Sequence, residues 1–144
     1  MKKYTRIVSL FVILAMLLAL GAFAAEQASY YIANTWADMD ALGDGELKIE
    51  LEVAGTGPMT DIGASKVYLY EKATNSSVYR LKTTFSQTNP DYDYLMAHGT
   101  SFHDPNIYTS GTPGYSYYVK VDFYAADSTG NDTVRYETDP IICT

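Results

Sequence analysis

The feature that most constrains the fold is a strict two-residue alternation of apolar and charged side chains from Glu46 to Val53. Leu, Ile or Val occupies every second position, and Glu or Lys occupies the positions between. Because successive side chains of a strand point to opposite faces, this pattern predicts an antiparallel strand with one face in the core and one in water. The preceding turn signal, Gly43-Asp44-Gly45, predicts a hairpin whose opening strand is Tyr31 to Leu42.

Short strands bounded by turn residues account for most of the remaining chain. The segment Gly55 to Gly63 is predicted as a loop, and Thr88 to Pro105 as a long connection with a helical turn and a short strand near its end. About seven strands without an amphipathic helix favour an antiparallel all-β sandwich, with a small barrel as the alternative. The further predicted strands are Ala64 to Lys72, Ser77 to Ser86, Tyr115 to Ala126 and Asp132 to Thr138.

The first 24 residues have the layout of a secretory signal peptide, which would form a helix. Three cations within the first six residues precede an apolar run from Ile7 to Leu20 and the small-residue site Ala22-Phe23-Ala24. An uncleaved membrane anchor is the alternative, because the apolar stretch approaches the length of a bilayer span. The triplet favours cleavage after Ala24. We therefore expect one secreted domain, residues 25–144, without membrane contact after cleavage.

The charge and the cysteine count exclude several classes of protein. Residues 25–144 contain seven Lys and Arg against 17 Asp and Glu, a formal charge of −10. This balance argues against a nucleic-acid partner, which clustered cations would have to bind. The single cysteine, Cys143, cannot build a disulfide framework or a cysteine zinc site. It is expected to be a solvent-accessible thiol in a frayed tail, with a disulfide dimer as the alternative.

One resemblance concerns the fold. Residues Gly114 to Val121, followed by Phe123, Ala125 and the turn Ser128-Thr129-Gly130, resemble the F strand and FG turn of a fibronectin type III or immunoglobulin-like sandwich. The resemblance implies that Tyr117 is a tyrosine-corner residue, with a buried ring and a hydroxyl bonded to the backbone. The paired cysteines of antibody domains are absent from the sequence.

A second resemblance covers most of residues 25–144. The segments Ile62 to Lys72 and Gly111 to Ala125 are similar to a family of small, tyrosine-rich secreted proteins of clostridia and related Gram-positive bacteria. It implies secretion and a small β domain, and it implies no reaction.

The candidates for chemistry lie in the predicted Thr88 to Pro105 connection. His98 and His103 flank four residues there, which permits a metal-binding protein or a small secreted hydrolase as an interpretation. Their spacing matches no metalloprotease motif, so we interpret them as polar residues facing water and assign no catalytic residue, metal or cofactor. The acidic residues nearby are Asp91, Asp93 and Asp104.

Tyrosine is the residue type that exceeds expectation, with 14 in the chain. Tyr68, Tyr70, Tyr118 and Tyr124 lie on strand faces opposite the predicted core positions. They could bind sugar rings or a partner protein, or they could cover an exposed sheet face through cross-strand pairs. The sequence favours a non-catalytic module that binds an unidentified protein or glycan. A pocket of converging titratable groups would favour the hydrolase, whereas a flat tyrosine-lined face would favour the module.

Overall fold

Within residues 29–144, eight antiparallel strands form one sheet that curls into a half-barrel. The computed structural model describes residues 29–144, so the predicted signal peptide and the predicted mature N-terminus lie outside the described residues. A 3₁₀ helix, Pro90–Leu95, lies between the third and fourth strands. The strands are β1 Ile32–Gly43, β2 Glu46–Lys72, β3 Arg80–Ser86, β4 Met96–His103, β5 Asn106–Ser110, β6 Ser116–Ala126, β7 Asn131–Glu137 and β8 Ile141–Ile142.

The long strand β2 organises the sheet. It has 27 residues. Its first half pairs with β1 on one side and β5 on the other, and its second half pairs with β6 and β3. The predicted all-β antiparallel class is confirmed. One continuous curled sheet takes the place of two separate sheets, because the same strand runs through both layers.

The predicted loop from Gly55 to Gly63 is wrong, because this segment is the middle of β2. It stays extended through a ladder with β4, in which Met59 pairs with Thr100 and Asp61 pairs with His98. Met59 and Ile62 also point into the core and are 3% and 0% exposed. Backbone pairing and apolar burial therefore outweigh the turn preference of the glycines and the proline.

The buried apolar residues of the described range form a core inside the curled sheet, and the predicted inward positions of β6 belong to it. The two halves of β2 both contribute to this core, so the outer side of the first half and the outer side of the second half lie on opposite sides of it. This places two independent outer faces on the molecule. Fully buried core side chains include Leu47, Ile49, Val53, Val67, Leu69, Ile107, Val119, Val121 and Phe123.

The C-terminal residues pack against the body of the protein. Ile141 and Ile142 pair with the start of β6, and the Cys143 amide donates to the Tyr115 carbonyl over 2.9 Å. The Cys143 side chain is 1% exposed. The expectation of a solvent-accessible thiol in a frayed tail is therefore wrong, because β8 holds this segment in place.

The Tyr117 side chain is enclosed by the protein near the start of β6. Its side chain is 0% exposed. The hydroxyl oxygen accepts a 2.8 Å hydrogen bond from the Thr112 amide, and the hydroxyl donates to Glu71 Oε2 over 3.2 Å. The burial of the ring and its bond to the backbone are thus both present.

Candidate functional site

The predicted binding tyrosines all lie on the outer side of the sheet. Tyr68 and Tyr70 are on β2, Tyr118 and Tyr124 are on β6, and all four are half-buried. The register places Tyr70 directly opposite Tyr118 and Tyr68 opposite Lys120. Tyr124 is six residues further along β6, or about 20 Å at the usual rise of a strand. The structure therefore brings three of the four tyrosines together and leaves Tyr124 at a distance.

Tyr70 and Tyr118 form a stacked pair. Their ring centroids are 4.9 Å apart and their planes differ by 6°. This separation matches the spacing between neighbouring strands, so the rings stand side by side and present their edges outward. Neither hydroxyl has a hydrogen-bond partner among residues 29–144. The pair therefore offers two free phenolic hydroxyls to solvent, while each ring covers part of the other.

Tyr79 extends the aromatic cluster and was not predicted from the sequence. Its ring meets Tyr118 edge-on, with centroids 4.8 Å apart and planes at 85°. Its hydroxyl shares a 2.8 Å hydrogen bond with the hydroxyl of Ser116. Tyr79 precedes β3, and in the predicted strand Ser77 to Ser86 the two-residue period groups it with Phe85, which is buried, so periodicity alone would not assign it to the outer side.

Cations lie over the tyrosine rings. Lys72 Nζ is 5.0 Å from the Tyr79 ring centroid, and Lys120 Nζ is 5.7 Å from that of Tyr70. Such distances are within the range of cation–π attraction. A hydrogen bond to Glu137 raises the pKa of Lys120, so its ammonium stays charged. The two-residue period places Lys72 and Lys120 on the same strand faces as the tyrosines, so cations on this surface could have been predicted from the sequence.

The ion pair between Arg135 and Asp122 lies beside Tyr68 on the same outer side of the sheet. Arg135 donates to both carboxylate oxygens of Asp122, over 2.7 and 3.0 Å, and the Tyr68 hydroxyl donates to the same carboxylate over 3.2 Å. The Arg135 hydrogen bond is the main reason that the pKa of Asp122 is lowered. Burial, followed by the charge of Asp122, raises the pKa of Tyr68. At neutral pH the Tyr68 phenol is therefore uncharged and lies beside the ion pair of Asp122 and Arg135.

We call the outer side of β3, the second half of β2, β6 and β7 the tyrosine face. Its outward cations outnumber its outward carboxylates four to three, although the whole chain has a formal charge of −7. The tyrosine face is therefore a cationic, aromatic surface on an acidic protein. Its outward charged residues are Lys66, Lys72, Lys120, Arg135, Asp61, Asp122 and Glu137.

The two histidines lie in strand β4, so their predicted place in a connecting segment is wrong. His98 Nδ1 is 2.6 Å from Asp61 Oδ1, and His103 Nε2 is 2.8 Å from the Tyr94 carbonyl oxygen. Each ring thus has its own partner. Within residues 29–144 no three His, Cys, Asp or Glu side chains are arranged to hold a metal ion. The aspartates considered with them, Asp91, Asp93 and Asp104, are exposed.

A groove lies between the start of β1 and β7, and it shares Arg135 with the tyrosine face. It has a volume of about 750 Å³, and segments 32–35 and 133–136 form most of its walls. Arg135 and Tyr136 are its titratable side chains, so it does not gather an acid and a base.

Within the described part of the chain, no helix has both the length and the apolar character needed to cross a membrane. A scan against protein-family models finds no match to this chain, and a search of curated proteins finds none similar to it.

Proposed function

We propose that the protein is a secreted, non-catalytic binding module and that the tyrosine face is its binding surface. The observation that carries the proposal is the stacked Tyr70–Tyr118 pair with Lys120 beside it, on a face whose charge is opposite to that of the whole chain. Stacking and cation–π contacts hold these side chains in place before a partner arrives. A pre-ordered aromatic surface loses little conformational entropy on binding.

The geometry of the face favours an acidic partner. The rings of Tyr70 and Tyr118 cover each other, so they do not offer a flat platform for a neutral sugar. What projects toward solvent is a set of phenolic hydroxyls and ammonium groups, which are hydrogen-bond donors. Carboxylate, phosphate or sulfate groups on a protein or a glycan would accept hydrogen bonds from them.

We include in this proposal that the protein is secreted and that its fold is immunoglobulin-like. The layout of residues 1–24 supports cleavage after Ala24, which the intact mass of the protein in culture supernatant would show as an N-terminus at Ala25. Protein found only in membranes with residues 1–24 attached would contradict export.

The buried Tyr117 supports a divergent immunoglobulin-like arrangement in which β2 joins both layers.

The test compares acidic and neutral probes on immobilised protein. Polygalacturonate and polyglutamate should bind, and dextran should not. Tyr70→Ser combined with Tyr118→Ser should weaken binding at least about tenfold, in line with the loss of a small hot spot. Tyr30→Ser is the matched control, because Tyr30 is 86% exposed and precedes β1, outside the tyrosine face.

The alternative function, a small hydrolase or metal-binding protein that uses His98 and His103, gives a different result in the same assay. Replacing both histidines by Ala should leave probe binding unchanged if the tyrosine face is the site. Loss of binding in that variant, removal of binding by a chelator, or cleavage of a probe by the wild-type protein alone would overturn the proposal.

A further inference from the structure

The opposite side of the molecule has the opposite charge. We call the outer side of β1, the first half of β2 and β5 the acidic face. Five carboxylates point outward there against a single cation, Lys48, which pairs with Glu50. Asp38 lies directly opposite Glu50 in the register. Like charges in facing positions destabilise a sheet, so this face gains from a cationic neighbour. The carboxylates are Asp38, Asp40, Glu46, Glu50 and Glu52.

Aromatic side chains are exposed among and beside these carboxylates. Trp36 is 40% exposed and lies opposite Glu52, and Tyr108 is 67% exposed and lies opposite Lys48. Phe102, at the adjoining end of β4, is 45% exposed. Aromatic residues are enriched in the buried centres of protein interfaces, whereas an isolated sheet face gains little from exposing them. The acidic face therefore combines apolar area with unbalanced negative charge.

Two cations of the tyrosine face have no carboxylate partner. Lys120 pairs with Glu137, and Arg135 pairs with Asp122. By contrast, neither Lys66 nor Lys72 forms a salt bridge to any of residues 29–144. Each outer face of the sheet thus holds uncompensated charge of one sign, and the required counter-charge is present on the other face of the same protein.

We infer that the partner of the tyrosine face is the acidic face of a second copy of this chain, an inference that rests on the proposed function. Carboxylates of one copy would meet Lys66, Lys72 and the free hydroxyls of Tyr70 and Tyr118 on the other. Exposed aromatics such as Trp36 and Tyr108 would pack against the tyrosine cluster. Electrostatic complementarity of this kind sets the register and the rate of association.

The geometry of the two faces makes the association head-to-tail. Different faces meet, so each pair of molecules leaves one tyrosine face and one acidic face unoccupied, and further copies can add. On the tyrosine face, four strands about 4.8 Å apart and about seven residues long give a flat area of roughly 450 Å², and the acidic face, with three strands, is smaller. This is below the roughly 800 Å² per partner of a standard stable interface, so the association is weak and depends on protein concentration and salt.

Charge-swap variants test this inference in sedimentation velocity. One variant inverts the tyrosine face through Lys66→Glu and Lys72→Glu, and the other inverts the acidic face through Asp38→Lys, Asp40→Lys and Glu52→Lys. Wild-type protein should associate as its concentration rises at low ionic strength and should dissociate at high ionic strength. Each variant alone then has two faces of one sign and should remain monomeric. An equal mixture of the two should associate again, because each inverted face meets an oppositely charged face.

The control is the variant Asp91→Lys with Asp93→Lys. It raises the net charge in the same direction as the acidic-face variant but touches neither face, so it should associate like wild type. Circular dichroism establishes that every variant is folded. A mixture of folded charge-swap variants that stays monomeric would overturn the inference.

The acidic probes separate this inference from the proposed function. Wild-type protein that binds polyglutamate or polygalacturonate yet stays monomeric at all concentrations would refute association with a second copy and leave the proposed function intact. Wild-type protein that neither associates nor binds either acidic probe would refute both.

Discussion

Tyr70 lies directly opposite Tyr118 on the neighbouring strand, and the two rings stack with planes 6° apart. The residues next to them in the chain, Leu69 and Val119, are fully buried and also lie opposite each other. A shift of one residue in this register would bury the tyrosines and expose the core. The alternation that builds the core therefore also assembles the tyrosine face.

The first prediction compares two neighbouring hydroxyls. Tyr117→Phe removes the acceptor of the Thr112 amide and the donor to Glu71, so it should lower the free energy of unfolding by about 1–3 kcal/mol. Tyr118→Phe should be nearly neutral, because no residue in the described range accepts from or donates to that hydroxyl. Urea unfolding measures both variants. Equal midpoints would contradict the role assigned to Tyr117.

The second prediction concerns a close backbone approach in β2. A Cβ atom at Gly63 would lie 2.0 Å from the Leu95 carbonyl oxygen. Gly63→Ala therefore forces the backbone of β2 and the 3₁₀ helix apart, and it should cost at least about 1–3 kcal/mol of stability. Gly57→Ala is the matched control in the same strand, because a Cβ there meets nothing within 4 Å. Thermal unfolding of the pair measures the difference, and a similar loss in both variants would argue against this contact.

The strand pattern made much of the fold predictable, but not the connections. The alternation in β1, in both halves of β2 and in β6 is visible in the sequence because each strand has one buried face. The segment 55–63 reads as a loop because glycine and proline preferences are local, whereas its ladder with β4 is a long-range contact. The five-residue strand β5 was missed because it follows Asp104-Pro105 and is too short to show a period.

The candidate site was predictable only in part, for a similar reason. Tyr68, Tyr70 and Tyr118 lie inside alternating strands, so their outward direction follows from the period. Which residues become neighbours depends on the register between strands, and Tyr79 and Arg135 reach the tyrosine face only through that register. The sequence of one strand does not show which residues of another strand lie opposite it.

The third prediction concerns the buried thiol. Because the Cys143 side chain is 1% exposed, iodoacetamide should label it slowly in the native protein and fully in urea. Mass spectrometry of quenched samples gives both rates. Rapid native labelling, or a covalent dimer on a non-reducing gel, would restore the interpretation of an accessible thiol in a loose tail.

The last prediction is a pH dependence that originates on the tyrosine face. The Arg135 hydrogen bonds lower the pKa of Asp122 in the folded protein, and the Tyr68 hydroxyl contributes. The stabilisation that this carboxylate provides is therefore present above its pKa in the unfolded chain, about 3.9. It is lost as the pH falls through its lower pKa in the folded protein. Asp122→Asn should be less stable than wild type at neutral pH, and the gap should close below about pH 4.

Asp91→Asn, which removes an exposed carboxylate outside this network, should show no such convergence. Urea midpoints measured across the acidic range give the comparison, and a gap between wild type and Asp122→Asn that is independent of pH would show that the ion pair does not cause it.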